Sequence, residues 1–148
     1  MCFVLYLACG VPVPTILWDE AARKLNTHDL SEHEADVAMH FTKRFTKYVG
    51  SDQCCGCGFR NVKIQDEVWP EEDFIGSQHY TGDEEQPNHE QLHKLVTSLL
   101  GQAASVQVYG CFDGEFTEPV ESRASINVNR LLDVDFYFRE RGFYEVTA

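Results

Sequence analysis

The sequence predicts an α+β fold: one domain over residues 1–148, with a mixed β-sheet covered by about two main helices. Three observations lead to this expectation. Short runs rich in apolar, β-branched and aromatic residues recur along the chain, separated by Gly, Pro and acidic clusters. One later stretch instead carries its apolar residues at helical spacing. Finally, 148 residues with 43% hydrophobic and 24% charged side chains are enough to build a core without disulfide or metal staples.

Residues 2–9 are almost free of polar atoms, as expected of a strand buried on both faces, and Gly10, Pro12 and Pro14 end it. Between Trp18 and Leu30 the pattern allows a helical turn at Asp19–Lys24 and a short extended piece near Leu25–His28. Ser31 and Glu34 have capping-box spacing, which predicts a helix from about Glu32 to His40. Arg44–Gly50 then reads as a strand that delivers the chain into Cys54-Cys55-Gly56-Cys57-Gly58-Phe59.

Residues 65–88 are acidic and interrupted by Pro70, Gly76, Gly82 and Pro87, the composition of a long exposed loop. No spaced calcium loop is present in it. Asn88 has the character of a helix cap, with Gln91 three residues on. Leu92, Leu95, Val96, Leu99 and Leu100 then share one helical face, up to Gly101. Ser105–Phe112 is a strand with Val106, Val108 and Phe112 on one side and Gln107, Tyr109 and Cys111 on the other, followed by an Asp113-Gly114 turn. Ala124–Val128 reads as extended, Asn129–Phe138 as helix or strand, and Gly142–Thr147 as a terminal strand.

Charge excludes one class of partner. A net charge of −12 repels phosphate backbones, and no basic cluster exceeds Lys43-Arg44, so nucleic acid is not an expected ligand. The apolar start lacks a positive flank and is too short for a signal peptide or a membrane span. The expectation is a cytoplasmic protein without membrane contact, in which six cysteines are reduced thiols or metal ligands rather than disulfides.

The Cys54–Phe59 run is the candidate chemical site. Thiols bind soft metals and attack electrophiles, while glycines allow tight turns and point backbone N–H groups at a common spot. As a metal site, Cys55 and Cys57 would need a distant thiol, for which Cys111 is the candidate and Cys2 or Cys9 a further neighbour. Zinc is the implied ion, although the spacing matches no zinc knuckle. His89 and His93, one helical turn apart, are a second pair able to share a metal. As a thiol catalyst, Cys55 or Cys57 would be the nucleophile and Arg60 its electrostatic partner, with the general base not identifiable. The plain alternative is that the cysteines are small buried hydrophobes.

Removal of Met1 would expose the α-amine of Cys2, the arrangement used by enzymes with an N-terminal nucleophile, but the Met-Cys-Gly start of glutamine amidotransferases is absent. Phe136, Phe138, Phe143 and Tyr144 form a strip suited to a core or, with Tyr137, to a face for homo-oligomerisation.

On Met1-Cys2, Leu5–Ala8, the Pro12/Pro14-to-Glu20 segment, Tyr48–Ser51, Gly56–Phe59 and Tyr109–Gly114, the chain resembles a group of small uncharacterised bacterial proteins. That resemblance implies no activity, cofactor or substrate. Where Cys54 stands, the group has glycine, which directs attention to Cys55 and Cys57. Two functions therefore stand side by side: a protein with a thiol or metal site at this turn, and an acidic, non-enzymatic interaction protein with structurally buried cysteines.

Overall fold

The computed structural model describes residues 2–61 and 84–148. Its centre is a six-stranded mixed sheet. In chain order the strands are β1 (Phe3–Cys9), β2 (Asn26–His28), β3 (Phe45–Gly50), β4 (Val106–Phe112), β5 (Ser122–Asn127) and β6 (Gly142–Thr147), and across the sheet they run β2-β3-β1-β4-β6-β5. All neighbouring pairs are antiparallel except β5 and β6.

β1 and β4 lie in the middle, and every residue of both is buried. The reason is alternation between two apolar layers. Phe3, Leu5, Leu7 and Cys9 join Val106, Val108 and Phe112 on one face, where Leu92, Leu95, Val96 and Leu99 of helix α1 (Gln86–Leu100) cover them. Val4 and Tyr6 join Tyr48, Tyr109, Cys111 and Phe143 on the other, under Val37 and Phe116. Phe136, Phe138 and Tyr144 pack edge-to-face on one another and are buried inside the first layer, so that strip is core.

Three expectations change in detail. The capping box at Ser31–Glu34 forms only its reach-back half, Glu34 Oε1 accepting from the Ser31 amide at 3.2 Å. Glu34 is instead drawn onto the sheet, where its other oxygen accepts from Tyr6 Oη at 3.2 Å. A full helix from Glu32 does not form. The chain instead makes a 3-10 helix, Ala35–His40, with Val37 as its buried residue.

The second helix begins at Gln86 with Pro87 in its first turn, so Asn88 lies inside it and not at its cap. The exposed loop expected over residues 65–88 therefore ends by Gln86, and its part up to residue 83 lies outside the described residues. Asn129–Phe138 is neither a regular α-helix nor a strand. It opens within a 3-10 helix, Val128–Leu132, against which α1 packs.

The antiparallel pairing of β1 with β3 decides where the cysteine run sits. Leu5 stands opposite Val49, so the exit of β3 lies beside the start of β1. The chain leaving β3 must turn at that corner, and it does so through residues 51–59 with a short 3-10 helix at Gly56–Gly58.

Candidate metal centre

The corner is built by hydrogen bonds to backbone. Ser51 is its hub: its Oγ donates to Cys55 O at 2.6 Å and accepts from Gly58 N at 3.1 Å. The Ser51 amide also donates to Cys55 O at 2.8 Å, and Asn26 Nδ2 donates to Ser51 O at 3.0 Å. From α1, Asn88 Nδ2 donates to Asp52 Oδ1 and to Gly58 O, both at 2.9 Å, while Asn88 Oδ1 accepts from the Asp52 amide at 3.1 Å. One buried helical side chain thus ties both ends of the turn together.

Two glycines are required by close approach. A Cβ on Gly56 would lie 2.8 Å from Phe3 O, because the turn is pressed against the start of β1. A Cβ on Gly58 would collide with Ser51 Oγ and sit 2.6 Å from Asp52 Oδ1. Any side chain at either position would push the turn away from what it leans on.

This approach brings three thiols together. The Sγ atoms of Cys2, Cys55 and Cys57 all lie within 4.8 Å of one another, with Cys2 exposed and the other two half-buried. A tetrahedron with bonds of about 2.3 Å spaces its sulfurs roughly 3.8 Å apart, so a rotamer adjustment of under about 1 Å, available to exposed Cys2, closes the triad on an ion. Cys55 Sγ accepts from the Cys57 amide at 3.4 Å, which fixes that sulfur over the turn.

Cys57 lies against the first apolar layer, 4.0 Å from Phe3 O. Burial, reinforced by its hydrogen bond to Cys55 and by the Cys55 and Cys2 thiols, pushes its thiol up to about 12. Without a cation, then, Cys57 is a protonated thiol at neutral pH and a poor nucleophile. A bound metal ion reverses that balance, since a coordinated thiol gives up its proton.

The remaining sequence candidates stand elsewhere. Cys111, expected to join Cys55 and Cys57, faces the opposite side of the sheet among Tyr6, Tyr48 and Tyr109, and burial raises its thiol to about 12. It takes no part in the triad. Cys9 is buried in the first layer. Cys54 is exposed and outside the group.

Arg60 is fully buried and its guanidinium donates to Gln86 Oε1 at 3.0 Å, while its amide donates to His89 Nε2 at 3.1 Å. These two bonds serve the start of α1, and its carbonyl accepts from the Phe138 amide at 3.0 Å. His89 and His93 share no ligand position. His89 Nε2 accepts from Arg60, which leaves Nδ1 to donate to Leu131 O at 3.0 Å, and His93 meets Asn129 Oδ1 at 3.0 Å.

Sequence reasoning placed Cys55 and Cys57 at the site but took Cys111 as the third sulfur, with Cys2 only a possible neighbour. A usable signal existed: if the strand of Cys2–Cys9 pairs antiparallel with the strand before the turn, Cys2 must lie at the turn. Ser51 and Asn88 were missed, the first because serine is common in turns and the second because Asn at a helix start reads as a cap. No protein-family model, curated protein or solved structure matches the chain, so its own residues define the site: a corner of a mixed sheet where three thiols converge.

Proposed function

We propose that the protein is a thiolate metal-binding protein in which Cys2, Cys55 and Cys57 hold a zinc ion. The observation that supports this reading is the convergence of three sulfurs from two segments far apart in sequence, within 4.8 Å of one another. Cysteines serving only as core hydrophobes have no need to meet, as Cys9 and Cys111 illustrate on opposite faces of the sheet. Three protein ligands leave the fourth zinc position to water or to an incoming ligand, the pattern of a reactive rather than a closed structural site.

The test is a zinc titration of the reduced protein against a chromophoric chelator. One zinc per chain is expected, and Cys2→Ser, Cys55→Ser and Cys57→Ser should each weaken binding by roughly 100-fold or more, whereas Cys54→Ser and Cys111→Ser should not. Native protein with no measurable zinc affinity would overturn the metal reading.

A further inference from the structure

The triad has a definite shortage. Zinc held by three thiolates carries a net charge of −1 and still needs a fourth donor. Among the described residues, no fourth His, Cys, Asp or Glu side chain joins the group. His28, His33, His40, His89 and His93 are engaged with other partners. A chain already at −12 offers no general surplus of positive charge to offset a half-buried anion. A centre of charge +3 that is complete with three sulfurs would meet both conditions, leaving the site neutral and its coordination closed.

Trivalent arsenic has these properties. It is soft, forms strong bonds to sulfur, and carries a lone pair in the direction a fourth ligand would occupy. We infer that the Cys2–Cys55–Cys57 triad is a receptor for trivalent metalloid hydroxides, with arsenous acid as the type ligand. The inference rests on the reading of these thiols as one binding site.

The exchange balances without an oxidant or reductant. Three As–O bonds break and three As–S bonds form, each thiol proton leaves with a hydroxyl as water, and arsenic stays trivalent: As(OH)3 plus three thiols gives As(SR)3 plus three waters. Two of the sulfurs are positioned beforehand, because the turn that carries Cys55 and Cys57 is fixed by Ser51 and Asn88 and pressed on β1 through Gly56. Only exposed Cys2 has to adjust, so little ordering is left to the binding step.

The experiment titrates arsenite into the full chain, kept reduced with a phosphine, and follows sulfur-to-arsenic charge-transfer absorption together with a count of the thiols that disappear. Phenylarsine oxide, which exchanges at only two positions, is titrated in parallel, and zinc is the reference ion. The expected result is one arsenic per chain with three thiols consumed. Cys2→Ser, Cys55→Ser and Cys57→Ser should each lose roughly 100-fold or more in arsenite affinity. Those same variants should still bind phenylarsine oxide through the two thiols that remain, and urea midpoints matching the parent's show them folded. Cys54→Ser and Cys111→Ser should match the parent. Zinc binding without arsenite binding overturns the inference and leaves the zinc reading intact. So does a count of two thiols, with one of the three serine variants harmless. If neither zinc nor arsenite binds, both readings fall together.

Discussion

Cys54 holds a φ of 69°, a left-handed conformation that costs an L-residue about 1 kcal/mol and glycine nothing. Its carbonyl accepts from Tyr48 Oη at 3.1 Å and its amide donates to Ser51 O at 3.0 Å, so the strain is imposed by the turn's own hydrogen bonds. Glycine is the residue that this backbone position favours. Cys54→Gly is therefore expected to leave zinc affinity unchanged and to raise stability by up to about 1 kcal/mol, read as a higher urea midpoint at constant m. A large loss would mean that the Cys54 thiol has a role the turn geometry does not reveal.

His89 makes a second prediction at this scale. Burial first, and then the Arg60 charge, lower its imidazolium pKa from 6.5 to about 3. The unfolded chain therefore binds this proton more readily than the folded one. The neutral ring's contribution is fully present above about pH 6.5 and is lost as pH falls toward 3, at up to about 1.4 kcal/mol per pH unit. Urea midpoints measured between pH 7 and pH 4 should fall with that slope, and His89→Gln should flatten it. A profile unchanged by the substitution would place the acid sensitivity in the carboxylates instead.

At the scale of elements, α1 does two jobs. Its apolar face covers the sheet, and its first turn sends Asn88 into the cysteine corner. Asn88→Ala leaves the Asp52 amide and the Gly58 carbonyl without their buried partner, a cost of about 2–3 kcal/mol. Because those groups hold the turn that aims Cys55 and Cys57, zinc affinity should fall by roughly 10- to 100-fold, the usual effect of losing support behind a ligand. Calorimetric unfolding and the chelator titration, run on the same sample, separate the two effects. Lost stability with unchanged zinc affinity would show that the turn keeps its shape without the helix.

The strands were the most legible elements because each signal is local. The alternation of Val106, Val108 and Phe112 with Tyr109 and Cys111 assigned both faces of β4 correctly. The same alternation placed Cys111 opposite the first layer, yet without knowledge of strand order it could not show that Cys57 would settle against that layer. The helix at 32–40 was misjudged because Glu34, besides its local bond to Ser31, is held on the sheet by Tyr6, 28 residues away. Long-range hydrogen bonds of that kind carry no sequence period, and neither does the meeting of Cys2 with Cys55.

For the whole molecule the dominant physical fact is charge. Surface carboxylates repel one another most in the compact state, so salt should stabilise the fold. Several acidic residues already have cationic partners, including Asp29 with Lys47 at 2.6 Å and Asp133 with Arg130 at 2.9 Å, but the balance remains −12. Thermal scans from about 0.01 to 0.3 M sodium chloride should show a rising Tm, since the screening length shortens to several ångströms over that interval. A falling Tm would mean that the ion pairs outweigh the net repulsion. No helix among the described residues is long and apolar enough to cross a membrane.

The contact between the start of β1 and the cysteine turn also imposes an order of events. Phe3 and Cys57 are 54 positions apart in the chain, and only the pairing of β1 with β3 brings them together. Before that pairing exists, Cys55 and Cys57 can offer an ion two sulfurs at most. The third arrives with the fold itself, so an ion held by all three sulfurs would be trapped last. On the proposed function, loading would be a form of proofreading: the fraction of molecules carrying the ion would count those whose central strand has found its place.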